Sequence, residues 1–256
     1  MTPRRAESAA TAPIPQYRLH TILGIWAAAA VPMALLAWVV APAVADHLPG
    51  PSPMARALLL ALTAGLVWQF VLVAVLVHRE CGTWRWSAVR RALWLVAPTS
   101  PRTGRSGGRV WWMLVPFAAV FALEEFLPAI PPVAGHDLPA FLDSPDGTAL
   151  LGGNWGWFAV IVALAVFNTV LGEELLFRGL LLPRMNGVFG RFDWVANGVL
   201  FGAYHLHMPW AIPTAMLDTI ALAYPSRRYQ SAWMGIIIHS AQSVVIVVVT
   251  VAVVLR

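Results

Sequence analysis

Apolar runs long enough to cross a bilayer recur along this chain, and they leave the helix as the only spanning element. A hydrocarbon core takes about 20 residues of helix to cross, and lipid tolerates no unsatisfied backbone groups. Seven stretches are candidates: 21–45, 55–78, 110–130, 155–183, 193–209, 210–224 and 231–255. The sixth is the weakest, being short and carrying Pro213 and Asp218. None alternates apolar and polar residues in the manner of a barrel strand. With 59% hydrophobic and 11% charged residues, the expectation is an all-α polytopic transmembrane helix bundle of about seven spans. Ala43-Val-Ala45 has the look of a signal-peptidase site. The run before it is longer than the roughly 7–15 residues of a signal core, so the first span is expected to be retained; six would remain if it were cleaved.

All 17 basic side chains are arginine, and their placement predicts an orientation. Arg4, Arg5 and Arg18 precede the first span, and Arg79, Arg85, Arg90, Arg91, Arg102, Arg105 and Arg109 fill the second connection. Arg178, Arg184, Arg191, Arg227 and Arg228 flank later turns, whereas the other connections are acidic apart from Arg56 and the terminal Arg256. The positive-inside rule therefore predicts a multi-pass cell-membrane protein with its N-terminus cytoplasmic and its C-terminus outside. The net charge of +5 is accounted for by arginine beside anionic membrane lipid, so no nucleic-acid partner is expected. Cys81 is the only cysteine, which excludes an internal disulfide.

Three regions are expected. Residues 1–20 read as a cytoplasmic tail. Residues 21–130 read as an N-terminal transmembrane part without evident chemistry, holding an interfacial helix near 84–98 in which Trp86, Val89, Leu93 and Val96 share a face. Thr99–Gly108 reads as a linker and 131–153 as an external loop without clear helix. Residues 155–256 hold every motif that carries chemistry.

The first motif is Glu173-Glu174-x-x-x-Arg178. Glu174 and Arg178 are four apart with the acid first, the favourable order for an intrahelical ion pair. Glu173 is rotated about 100° from Glu174 and is left free to act. The second is Phe201-x-x-x-His205, with Asn197 on the same helix face. His207 is expected to point nearly opposite His205, as a bystander near the helix end. The third is His239-x-x-x-Ser243. Glu173 is 11 residues from Arg184, His205 is 14 from Arg191, and His239 is 11 from Arg228. At 1.5 Å per residue all three reach about 16–21 Å into a core about 30 Å thick. Ionisable groups at one depth in lipid pair, line a cavity or do chemistry. Glu124 and Glu125 are expected to reach the outer interface, and Asp218 either to border the site or to serve helix packing.

In this order on successive spans, the motifs resemble the CPBP intramembrane endopeptidase family, also called Abi, which includes the type 2 CAAX prenyl proteases and proteins linked to bacteriocin self-immunity. The family pattern is EExxxR, FxxxH and HxxxN, and the resemblance covers about residues 155–250. It implies hydrolysis of a peptide bond in a membrane-associated protein or peptide. Glu173 would activate the attacking water, assisted by Glu174 and Arg178. His205 would serve water activation or metal binding, and His239 metal binding or oxyanion stabilisation. Ser243 replaces the family's asparagine with a shorter donor; a small rotation would bring the Gln242 amide to the same place. Two mechanisms stay open. In one, a divalent ion such as zinc is held by His205 and His239; in the other, a glutamate acts as base without metal. The absence of HExxH excludes the helix-borne zincin motif. A catalytically inactive scaffold or immunity protein of the same fold is the alternative, followed by a proton-coupled transporter.

Overall fold

The apolar runs fold as helices, and their ends follow local chemistry. The computed structural model describes residues 14–128 and 130–255; positions 1–13 of the expected tail lie outside the described residues. In chain order the main helices are α1 (Leu19–Ala45), α2 (Pro53–Cys81), α3 (Trp86–Ala92), α4 (Leu114–Phe121), α5 (Leu138–Leu142), α6 (Pro145–Leu151), α7 (Trp155–Arg184), α8 (Asp193–Tyr204), α9 (Tyr224–Tyr229) and α10 (Trp233–Val254). α2 starts on Pro53 and stops at Gly82, whose φ of 61° lets its N–H bond the His78 carbonyl at 2.8 Å. The all-α polytopic expectation is met.

Among the described residues four helices are long and apolar enough to cross a membrane: α1, α2, α7 and α10. The other three expected spans are built from shorter pieces. The 110–130 run becomes α4 between the 3-10 turns Gly108–Met113 and Ala122–Phe126. The 193–209 run stops at Tyr204, because the His205 ring takes the Phe201 carbonyl at 3.0 Å and the His205 N–H moves to Gly202. Pro209 then ends the run. In 210–224 Pro213 and Asp218 leave one α-helical turn, Ile212–Ala215, and a π-helical turn, Thr219–Ala223. The external loop, expected to lack helix, holds α5 and α6. Asp137 and Ser144 cap them, accepting from the Ala140 and Gly147 N–H groups at 3.0 and 3.1 Å.

The N-terminal part is woven into the rest. Ile22, Ala29 and Met33 of α1 are buried with Leu176, Phe177 and Phe201 in one core. Three indoles tie helices together: Trp26 donates to the Leu200 carbonyl at 2.8 Å, Trp38 to Leu206 at 2.9 Å, and Trp68 to Ala28 at 2.8 Å. Two of these acceptors flank His205, so α1 helps to hold that turn. At the arginine-rich end, Arg184 grips Glu80 (2.6 Å) and the carbonyls of Ala92 and Leu180 (2.9 and 2.8 Å). Tyr17 donates to the same Glu80 carboxylate, and burial holds its phenol neutral, well above its ordinary range. Asp193, a buried carboxylate, pairs with Arg227 at 2.5 Å. Outward-facing Val244, Val245 and Val248 of α10 are about 60% exposed, as suits a lipid-facing wall.

Candidate active site

α7 changes its winding where the first motif lies. Its α-helical start runs to Val166, followed by π-helical segments at Phe167–Gly172 and Leu175–Leu181. Glu173 and Glu174 sit between them. Such i→i+5 turns recur at functional sites because they re-aim side chains within a continuous helix. The first segment packs against α2, and glycine permits the close approach: a Cβ on Gly172 would lie 3.2 Å from the Leu66 carbonyl. Thr169 bonds back to the Ala165 carbonyl at 3.1 Å in the same turn.

Both glutamates are buried, 2% and 0% exposed, yet their surroundings differ. Glu174 pairs with Arg178 at 3.5 Å, as the i,i+4 spacing predicts, and also with His239 Nδ1 at 3.1 Å. The second contact joins α7 to α10. It is possible because α10 offers Gly235, where a Cβ would strike Glu174 Oε2 and lie 3.1 Å from Arg178 Cγ. The Gly235 N–H is itself held by Ser226 Oγ at 3.1 Å. The Arg178 guanidinium lies 4.1 Å from the centre of the Phe201 ring, a cation–π contact that partly replaces lost hydration. Its nitrogens make no hydrogen bond among the described residues, and neither does Glu174 Oε2.

Glu173 forms no ion pair among the described residues, although it lies within electrostatic reach of His239, Glu174 and Arg178. Its hydrogen-bonding neighbour is Tyr204, whose hydroxyl accepts from Gln69 Nε2 at 2.6 Å. The Tyr204 proton is thus left for the Glu173 carboxylate. Gln69 is fully buried in α2, within the part expected to lack chemistry. Sequence reasoning missed Gln69, Tyr204 and Gly235; a glutamine in the middle of an apolar span was the available signal for the first.

The histidine-bearing elements meet around Phe201, whose ring centre is 5.0 Å from that of His205 and 6.1 Å from that of His239. Phe121 of α4 closes on His239 at 5.8 Å. His207 does not point away from His205. The 3-10 turn replaces the expected helical rotation, so the two rings stack at 5.5 Å and His207 is buried. Ser243 is buried one turn beyond His239 and makes no hydrogen bond to a described residue, whereas Gln242 is exposed on the outer side of α10. The Gln242 amide is therefore turned away from the layer. Glu124 meets buried Asp218, and Asp218 lies within electrostatic reach of Arg178 and Glu174.

Residues 155–245, a stretch that contains all three motifs, match the family model described as Rce1-like, type II CAAX prenyl endopeptidase Rce1-like. The likeness is to this segment alone, about a third of the chain. No curated protein and no solved structure matches the chain. The matched segment supplies α7, α8, α9 and the first part of α10, and the four apolar helices mark the whole as a membrane protein. A metal needs three or more protein ligands in the usual catalytic sets. Among the described residues no group of three His, Cys, Asp or Glu side chains is placed to hold one. His239 Nδ1 faces Glu174 and His205 Nδ1 faces the Phe201 carbonyl, so the expected His205–His239 pair is not completed into such a set.

Proposed function

We propose that the chain is an intramembrane endopeptidase that hydrolyses a peptide bond of a membrane-associated protein or peptide, with Glu173 as general base. The observation that carries this reading is the asymmetry of the two glutamates. Glu174 is held by Arg178 on one side and by His239 Nδ1 on the other, and Glu173 keeps its carboxylate for a reacting proton. Glu173 takes the proton of a water as its oxygen attacks the carbonyl carbon. The oxyanion that forms is met by His239 as an imidazolium, with Nδ1–H donated to Glu174 and Nε2–H to the new negative charge. Glu173 then passes its proton to the leaving nitrogen as the C–N bond breaks. The Arg178 guanidinium offsets carboxylate charge in the layer, which limits the cost of burying it. Arg178 and Glu174 fix the histidine, Ser243 offers a further donor, and His205 borders the layer through Phe201.

The test is a cleavage assay with purified protein and a library of membrane-proximal peptides, with and without a prenyl group. Glu173→Gln should abolish cleavage while the melting curve in detergent stays that of the wild type. Cleavage by Glu173→Gln at the wild-type rate removes the assignment. Dialysis against a chelator should leave activity intact; loss that added zinc restores would install His205 and His239 as ligands. If no peptide is cleaved by any form of the protein, the scaffold reading replaces the enzyme.

A further inference from the structure

Away from the carboxylate layer, the stretch expected to be a linker borders an open cavity lined by exposed arginines. Thr99 and Ser106 form an antiparallel bridge that closes a hairpin, supported by Ser100 N–H to Arg105 O and Gly107 N–H to Pro98 O, both at 2.9 Å. The hairpin is fastened to the end of α9 by Thr99 N–H to Tyr229 O at 2.8 Å. Ser231 Oγ to Val96 O at 2.6 Å fixes the strand leading into it. Between hairpin and α9 lies a cavity of about 720 Å³ lined by Arg102, Arg105, Arg109 and Arg228, with the Ser100 and Thr103 side chains beside them. A neighbouring cavity of about 370 Å³ shares Pro101 and Arg228 and adds Arg191.

None of the four guanidiniums of the larger cavity forms an ion pair with a described residue. Nearby Arg184 and Arg227, by contrast, each have a carboxylate. Four like charges around one ordered space repel, and an anion with several acceptor oxygens relieves that repulsion. Guanidinium forks match phosphate oxygens two at a time. The cavity is also bounded by Val110 and Met113, which lead into the outward-facing Trp112 and Val115, 71% and 61% exposed. A headgroup seated among the arginines would therefore have an apolar wall for its acyl chains. We propose that this cavity binds a phosphate group, supplied by an anionic phospholipid of the surrounding bilayer.

Purified protein in detergent would be titrated with dioleoyl phosphatidylglycerol, dioleoyl phosphatidylcholine and inorganic phosphate, and adducts counted by native mass spectrometry. The expected result is a retained phosphatidylglycerol adduct without a phosphatidylcholine counterpart. The triple variant R102A/R105A/R228A should lower its occupancy about tenfold or more, since several charge-assisted hydrogen bonds are removed together. R79A/R85A/R90A removes the same charge outside the cavity and should leave the adduct in place. Phosphate adducts that depend on the cavity arginines, without lipid preference, would keep the anion site and assign it to soluble phosphate. Equal occupancy by the two lipids without phosphate adducts, or equal loss in both triple variants, overturns the proposal. Circular-dichroism melts check both variants, and the single changes R102A and R228A carry the measurement if the cavity triple unfolds. The readout is independent of peptide cleavage.

Discussion

Tyr204 stands between Gln69 and Glu173, with its acceptor side filled by the amide and its proton directed at the carboxylate. On the proposed mechanism, such a hydroxyl controls orientation of the base rather than binding of substrate. Tyr204→Phe should therefore lower kcat with little change in KM, by roughly the 1–3 kcal/mol that an unpaired buried group costs. Gln69→Leu should give a smaller fall, because the tyrosine keeps its proton donor but loses its fixed direction. Equal kcat in all three proteins would show that Glu173 is positioned by the helix alone. Ser243 raises a second residue-scale question. If its hydroxyl meets the reacting carbonyl, Ser243→Asn should preserve or raise turnover. Ser243→Ala should lower kcat by less than the 2.7–4 kcal/mol or so of a well-aligned oxyanion donor. Exposed Gln242 is the control, and a collapse in Gln242→Ala would overturn the placement of that face. The Glu174–Arg178 pair was legible because its partners lie on one helix, four residues apart. The Glu174–His239 contact was not, since nothing local specifies which face of α10 turns toward α7. His207 was misjudged because an α-helical rotation was assumed through a turn that winds as 3-10.

At the scale of helices, close approach is set by residues without side chains. Gly235 lets α10 lie directly on the Glu174–Arg178 pair. Gly235→Ala should force the carboxylate aside, costing about 1–3 kcal/mol of stability as other overpacked sites do, and should reduce activity in parallel. A melting temperature and turnover equal to wild type would mean that α10 shifts freely. Breaking the ion pair is expected to be harsher: Glu174→Ala or Arg178→Ala strands a buried charge, at about 3–5 kcal/mol. Melts in detergent measure both. The long helices were legible from run length and caps, as in the Pro53 start and Gly82 stop of α2. The winding of α7 was not, since nothing local announces that Gly172 packs close to the Leu66 backbone of a distant helix. α5 and α6 show the opposite failing. Asp137 and Ser144 stand two residues and one residue before Pro139 and Pro145, which occupy favourable first-turn positions, but abundant Pro, Gly and Asp masked the caps.

For the whole molecule, apolar length was a reliable guide to helix, but not to which runs form one long continuous helix. Runs interrupted by Pro209, Pro213 and Asp218 keep a spanning composition while losing the continuous backbone ladder that defines a long helix. The arginine bias makes a topological prediction that geometry alone leaves open. In a Cys81→Ser background, Asp143→Cys should react with an impermeant maleimide from outside intact cells, and Thr103→Cys should not. Labelling in the opposite sense would invert the orientation and place the arginine cavity on the outer leaflet.

The carboxylate layer is shut: Glu173, Glu174 and His239 are 2%, 0% and 6% exposed, and neither arginine-lined cavity borders them. On the proposed reaction, a peptide and a water enter only when helices part, so the competent form is a minority population. Apparent affinity is then the intrinsic affinity diluted by that fraction. Anything that spreads the helices, such as a thinner bilayer or a bulkier residue remote from the layer, would raise turnover without touching a reacting atom. The barrier a physiologist measures would be that of a door.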